Sequence, residues 1–233
     1  SGPYEYYSRT IEGKQYKVYC RRKLAEENNK EEILLDLNAI AEKDKLEYLV
    51  LEGFRVSPNH KVLAYSLDTK GDEIATMYFK NLETGEMIDD QIEGVGYSLE
   101  FGDEDSVIFY TTLDPAMRPY KIFRHLIRKS PSQTVEPDIE IFSEPDERYF
   151  VHCSASSSGH YVLISSCSKI TSEYWYAERG SHMATATAQE APQLFKLFSG
   201  RKQGVEYSIV HHGSYFYAVT NANNAVNFKI VKT

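Results

Sequence analysis

Gly96-Tyr97-Ser98-Leu99-Glu100 comes within one position of the G-x-S-x-G pattern, which lifts a nucleophilic serine onto a tight strand-to-helix turn. The second glycine of that pattern lets the following helix approach closely. Glu100 stands in its place, and no helical periodicity follows. Ser98 therefore reads as a strand residue, and no catalytic residue is assigned to the chain. Seven histidines are the next candidates, with His152-Cys153 and His211-His212 as adjacent pairs. Neighbours on a strand point to opposite faces, so one ion is poorly served by both members of a pair. No metal site is expected. Cys153 reads either as a reactive thiol at the mouth of an inner strand or, more commonly for its type, as a buried structural residue. No G-x-x-x-x-G-K or G-x-G-x-x-G loop is present, so no nucleotide site and no cofactor are expected.

Charged residues offer two further possibilities. Asp89-Asp90, Asp103-Glu104-Asp105 and Glu144 with Asp146-Glu147 fall in turns or at strand edges, where a solvated face is the plain explanation. The functional alternative is that some carboxylates line an opening and concentrate cationic peptides. Glu100 is best placed for that, because it sits on a first strand of its repeat unit. Arg124 and Glu173 occupy third strands of adjacent units. They read either as members of an exposed strand face or as ion-pair partners that hold neighbouring sheets or domains closed.

The elements that must position these residues are strands. Of 233 residues, 18 are Tyr and 11 are Phe, a bias that favours β structure. A hydrophobic share of 42% is enough for a packed core. The net charge of −8 argues against nucleic acid, whose phosphates need clustered Lys and Arg. Cys20, Cys153 and Cys167 are odd in number and widely spaced, so neither a disulfide framework nor a zinc knuckle is expected. With no apolar run of membrane-spanning length and no signal-peptide pattern, the expectation is a soluble cytoplasmic protein without membrane partners.

A weak internal repeat organises the chain. Phe54–Ser57 leads through Pro58-Asn59-His60 into Val62–Ser66, and Ser98–Phe101 leads through Gly102–Asp105 into Val107–Thr111. Val151–Ser154 leads through Ser156–Gly159 into Tyr161–Ser165, and Tyr207–Val210 leads through His211-His212-Gly213 into Tyr215–Val219. Each unit is an extended run, a polar turn and a nearly continuous apolar run, which is a hairpin signal. Third runs follow at 75–79, 120–124, 172–176 and 226–230, and fourth runs at 87–92, 139–142 and 194–197. A unit of about 45 to 54 residues with four runs is the size of a propeller blade. Apolar middle runs suit strands covered on both faces. The expected fold is all-β: a partial β-propeller of about four to five four-stranded antiparallel blades over residues 1–233, with approximate blades 1–50, 51–94, 95–146, 147–200 and 201–233. The first blade is divergent and carries the one expected helix, capped by Asp36, with Leu37, Ile40 and Ala41 on one face. Residues 23–32 read as a polar loop. Glu178–Pro192 reads as a surface insertion, and its Arg179–Met183 stretch resembles a tag-cleavage scar, so His182 receives no function.

Several stretches together resemble one family. Tyr6-Tyr7-Ser8-Arg9, Glu12–Tyr16, Tyr19–Arg22 and Glu32–Asn38 are similar to the propeller entrance of the oligopeptidase B branch of the prolyl oligopeptidase family of serine peptidases. Leu63–Asp68 with Gly71-Asp72-Glu73 resembles its second blade, and Phe109-Tyr110-Thr111 with Arg118-Pro119 and Arg124-His125 its third. Thr171-Ser172-Glu173 fits the fourth, and Gly204–Tyr207 with Thr220-Asn221-Ala222 and Asn227-Phe228 the fifth. The resemblance covers nearly the whole chain in one order. It implies a seven-bladed propeller paired with an α/β-hydrolase domain that lies downstream of this chain. The propeller would gate the enzyme and filter substrates by size, and the enzyme would cleave short peptides after Arg or Lys. Its partners would be peptide substrates and its own hydrolase domain. This chain alone, lacking the catalytic triad, would be inactive. The competing reading is a stand-alone propeller scaffold for protein–protein interaction. The chain lacks the regular Gly-His and Trp-Asp dipeptides of WD repeats, and Trp175 is its one Trp.

Overall fold

A computed structural model describes residues 2–25, 30–130, 132–134, 136–180, 183, 192–198 and 200–233. They form two compact units: Ser1–Leu51 with Leu67–Ile74, and Glu52–Ser66 with Ala75–Thr233.

In the first unit, β1 (Tyr4–Thr10), β2 (Lys17–Lys23) and β3 (Glu32–Asp36) pair as an antiparallel sheet in that order. The helix α1 (Leu37–Asp44) starts where expected. Asp36 is extended, and its carboxylate accepts from the backbone N–H of Asn38 at 2.9 Å and of Ala39 at 3.3 Å. Lys45 ends the helix in the left-handed region, φ 52°, and Leu46 N–H returns to Ala41 O at 2.9 Å. Asp68 organises the other end of this unit. It accepts from the N–H groups of Lys70, Gly71 and Glu73 at 2.8–3.0 Å. Burial would raise its carboxyl pKa, but these donors bring it below the ordinary value.

The second unit is built from β4 (Val50–Val56), β5 (Val62–Asp68), β6 (Ala75–Asn81), β7 (Met87–Phe101), β8 (Val107–Leu113), β9 (Pro119–Leu126) and β10 (Ile139–Ser143), followed by β11 (Phe150–Ala155), β12 (Tyr161–Cys167), β13 (Ser172–Glu178), β14 (Phe195–Leu197), β15 (Tyr207–His212), β16 (Tyr215–Thr220) and β17 (Lys229–Lys232). The unit boundary cuts through β4 and β5. Strands β11 to β14 form one antiparallel sheet and β15 to β17 another.

Strands β4 to β10 form a single seven-stranded sheet, where separate four-stranded groups were expected. The two runs read as 87–92 and 98–101 are one strand, β7. Its first part pairs with β6 up to Val95, and its last part pairs with β8 through Leu99, Glu100 and Phe101. The register shifts between Val95 and Leu99. Gly94, at φ +71°, supplies the irregular backbone where the pairing with β6 skips from Glu93 to Val95, and Gly96, inside the shift against β8, lets the strand pass so close that a Cβ would sit 2.9 Å from Thr111 Oγ1.

Apolar layers fill this unit, and among the described residues each of three takes residues from two successive sets of strands. The first joins Val62, Ala64, Met77 and Phe79 to Leu99, Phe101, Ile108 and Tyr110. The second joins Val107, Phe109 and Ile122 to Val151, Cys153, Val162, Ile164 and Ala177. The third joins Leu163 and Leu197 to Phe216. Strand alternation makes the logic explicit. Ile108 and Tyr110 of β8 face one layer, while Val107 and Phe109 face the next. A two-layer sandwich has one inner face per sheet. Here the β11–β14 sheet gives Val162 and Ile164 to one layer and Leu163 and Leu197 to another, so it is covered on both faces, as in stacked blades.

Two local expectations fail. The run 226–230 was read as a third strand, but β17 begins only at Lys229. The turn opened by Asn221 continues through Asn223, Asn224 and Phe228, all at positive φ, with Ala225 N–H on Asn221 O and Phe228 N–H on Ala225 O. The surface-insertion reading of Glu178–Pro192 fails at its N-terminal end. Arg179 N–H donates to His160 O at 2.8 Å, Gly180 N–H donates to Gly102 O at 3.0 Å, and Met183 is fully buried in the second layer. Ser181, His182 and residues 184–191 lie outside the described residues, as do residues 26–29 of the expected polar loop.

One buried ion cluster ties β7 to β9. His125 is 6% exposed and stacks on Phe79. Its Nδ1 lies 2.7 Å from Asp138 Oδ1 and its Nε2 3.0 Å from Asp90 Oδ2, while Tyr110 OH donates to Asp138 Oδ2 at 2.6 Å. Burial alone would lower the imidazole pKa. The two carboxylates overcome that and raise it to about 9.

Two outcomes are expected. Because the folded pKa of His125 exceeds the unfolded value of 6.5, the stability contributed by this clamp is complete below pH 6.5 and is lost as pH rises through about 9. Its ceiling is roughly 3 kcal/mol. Urea midpoints measured from pH 6 to 9.5 should fall more for the wild type than for His125→Gln; parallel curves would refute the clamp. Separately, Gly102→Ala would place a Cβ 2.5 Å from Phe109 Cε2 and 2.9 Å from Val107 Cγ1, inside the second layer. It should lower unfolding free energy by about 1–3 kcal/mol in the same assay.

Candidate functional site

Strands β4, β7 and β11 open their respective repeats, and their polar residues meet at one point. Glu100, on β7, is 7% exposed. Its Oε1 accepts from Arg179 at 2.7 Å, and its Oε2 accepts from Arg55 Nε at 3.3 Å and from the Ala155 N–H of β11 at 3.0 Å. Arg179 is the tight partner and is itself largely buried. Arg55, on β4, remains 46% exposed at its side chain. Its NH1 also donates to Phe54 O at 3.0 Å. His152, on β11, keeps an accessible surface while its ring lies among neighbouring atoms, within the field of the same pair. Partial desolvation lowers its pKa first and the Arg55 charge lowers it further, against the opposing charge of Glu100.

This arrangement changes what Glu100 does. The sequence reading offered it as a carboxylate for cationic peptides. Two guanidinium groups and the backbone N–H groups of Phe101 and Ala155 already occupy it, so it holds polar groups of several strands together. The sequence signal that was missed is Arg179, hidden in a stretch without periodicity.

Ser98 and Cys153 sit just behind, both buried. Cys153 N–H donates to Ser98 Oγ at 3.1 Å, and the two side chains approach to 3.5 Å. Ser98 N–H donates to Thr111 Oγ1 at 3.2 Å. Burial pushes the Cys153 thiol up to about 12, far from a reactive thiolate. No histidine contacts Ser98 among its hydrogen-bond partners, so neither residue has the activated geometry of a nucleophile.

Arg124 and Glu173 do not meet. Arg124 is 2% exposed, and its NH1 donates to Met183 O at 2.5 Å while its Nε has no partner. Burial lowers its pKa, opposed by the charges of Asp138 and Glu136. Glu173, 4% exposed, pairs with Lys196 Nζ at 2.7 Å and Arg201 Nε at 3.1 Å. Arg201 also pairs with Glu144, donates to Ser166 Oγ at 3.1 Å, and lies over the Tyr149 ring with its guanidinium carbon 3.6 Å from the centroid. Glu144 in turn accepts from Ser166 Oγ at 2.6 Å. Burial would raise the Glu144 pKa, but Arg201 and Ser166 bring it below the ordinary value. Arg118 completes this region with donations to the carbonyls of Glu144, Asp146 and Tyr149. The expectation of an exposed strand face fails for both Arg124 and Glu173. Among the described residues, no group of three or more His, Cys, Asp or Glu side chains is arranged to hold a metal ion.

Comparisons with known proteins agree with this geometry. The family model described as "Prolyl oligopeptidase, N-terminal beta-propeller domain" matches residues 1–233. Protease 2 of Moraxella lacunata is 33% identical over 99% of this chain and 32% of its own length, and dipeptidyl aminopeptidase BI of Pseudoxanthomonas mexicana is 31% identical over 97% and 31%. Oligopeptidase B from Leishmania major superposes with a TM-score of 0.85 at 27% identity, covering 100% of this chain and 31% of that one. Oligopeptidase B from Trypanosoma brucei, in a closed form with covalently bound antipain, gives 0.81 at 29% identity, covering 99% and 31%. The chain thus spans about a third of the length of the curated relatives it matches. Faces buried on both sides, a serine without an activating base and a match along every residue lead to one assignment: the chain belongs to the prolyl oligopeptidase family, as its N-terminal β-propeller domain, and is similar to oligopeptidase B.

Proposed function

We propose that this chain is the gating portion of a cytoplasmic serine oligopeptidase that cleaves short peptides after Arg or Lys. The supporting observation is the full-length similarity to the propeller third of oligopeptidase B, joined to a Ser98 and a Cys153 that are hydrogen-bonded to each other and not to a base. In this reading blades 1–50, 51–94, 95–146, 147–200 and 201–233 are the first of seven, and the catalytic serine, aspartate and histidine come from an α/β-hydrolase domain elsewhere in the protein. The blades act sterically. They exclude large substrates and bulk water while peptides reach the catalytic domain.

Within this role Glu100, Arg124 and Glu173 are positioning residues. Glu100 orients Arg55 and Arg179 at the inner edge. Glu173 fixes Arg201 between neighbouring strands, and Arg124 pins the backbone at Met183. Such contacts favour a rigid rim, which a size filter needs.

The test uses the complete coding sequence. The intact protein should hydrolyse reporter peptides with Arg or Lys before the scissile bond, with kcat/KM at least tenfold above matched peptides carrying Gln there. The chain of residues 1–233 alone should give no turnover. Turnover by this chain, or an intact protein indifferent to the basic residue, would reject the reading.

A further inference from the structure

Two guanidinium groups face one carboxylate where polar groups of β4, β7 and β11 meet. Arg179 holds Glu100 tightly, at 2.7 Å, and is 12% exposed at its side chain. Arg55 holds the same carboxylate through one long contact of 3.3 Å and is 46% exposed. Apart from that contact and the Phe54 carbonyl, Arg55 has no hydrogen-bond partner among the described residues. Glu100 is also its one ion-pair partner there. The cluster therefore carries one cation more than its anions can neutralise, and the surplus sits on the exposed guanidinium.

His152 is the other accessible polar group whose charge interacts with those of Arg55 and Glu100. It lies two residues before Ser154 on β11, the strand whose Ala155 N–H reaches the Glu100 oxygen that Arg55 also touches. Its ring nitrogens have no hydrogen-bond partner among the described residues, and it is exposed. An imidazole keeps at least one N–H to donate in either protonation state. A guanidinium with open N–H groups binds carboxylates in a planar, two-pronged fashion, which a lysine at the same place would not reproduce.

We propose that Arg55, assisted by His152, forms a carboxylate-binding site on the inner strands, which takes the C-terminal or side-chain carboxylate of a short peptide. Glu100 and Arg179 set the site by holding Arg55 at the edge without saturating it. The site gives the rim a polarity opposite to that expected from an acidic chain. In the peptidase reading it orients peptides by their acidic end; this second step rests on that reading, whereas carboxylate binding does not.

Binding is measured directly on the intact protein, by following the His152 imidazole resonance during titration with N-acetyl-diglycine or with its C-terminal amide. The resonance is assigned with His152→Ala. The free acid should shift it saturably and the amide should not. Arg55→Gln should abolish the shift, and Arg55→Lys should weaken it. A shift that is equal for acid and amide, or that survives in Arg55→Gln, overturns the site. Turnover provides the second arm. Reporter peptides ending in a free carboxylate should lose about twofold to fivefold in kcat/KM in Arg55→Gln, mostly through KM, while amidated ones stay level. Amidated peptides with Glu in place of Gln separate a side-chain carboxylate from the terminal one. If Arg55→Gln is unstable, Arg55→Lys carries the titration and His152→Gln the turnover comparison. A wild type without any turnover would count against the peptidase reading alone, since the titration still decides the site.

Discussion

A strand whose side chains are buried on both faces requires a neighbour above and below, and that demand organises the second unit. All seven residues of β5 are buried. Val107 and Phe109 of β8 belong to one layer and Ile108 and Tyr110 to another. Neither strand can sit in a sheet with a solvated face without exposing several large side chains, each worth about 1.5–3 kcal/mol of burial. Sheets of this kind can only stack. Stacking in turn brings the opening strands of successive repeats together at one edge, and so Arg55, Glu100 and His152 are near one another although about 50 residues apart in sequence.

Such stacking also buries charge, which is expensive unless each ion is matched. The matches follow a pattern. Glu100 has two arginines and two backbone N–H groups. His125 has two aspartates. Glu173 and Glu144 share Arg201, which also lies over Tyr149. Each ion bridges different strands, so it fixes register and spacing where apolar packing alone would tolerate sliding. Arg124 departs from this pattern. It is buried with one carbonyl partner and an unpaired Nε, and it draws its compensation from the more distant charges of Asp138 and Glu136.

The architecture was largely legible because its signal is local. Runs such as Val62–Ser66 and Val107–Thr111 carry the two-sided apolar pattern in consecutive residues, and Asp36 announces the helix through a capping side chain. What was illegible depends on contacts distant in sequence. The continuity of β7 rests on Gly94 and Gly96, and glycines between two runs read equally well as a break. Met183 is one apolar residue among small polar ones, so no periodicity marks it as core. The partners of Glu100 and Glu173 lie 79 and 28 positions further along, at Arg179 and Arg201, and no spacing rule connects them. The late start of β17 has a local cause, since Asn223 and Asn224 tolerate the left-handed backbone and lengthen the turn.

Net charge is a poor guide to the charge of a site. The chain carries 34 acidic and 26 basic side chains, and on that count an inner-strand glutamate invites a reading as bait for cations. The fold reverses that conclusion at this edge. Acids that lie in turns, such as Asp68 and Asp103, accept from backbone N–H groups. Glu100, close to the apolar layers, needs full cationic partners, and it draws two arginines where one would balance its charge. The local excess is then positive even though the molecule is acidic. A field set by packing requirements in this way acts at short range, because salt screens contributions beyond about 10 Å. The groups that a passing peptide meets are therefore those the stacking has gathered, and they cannot be read from the composition of the chain.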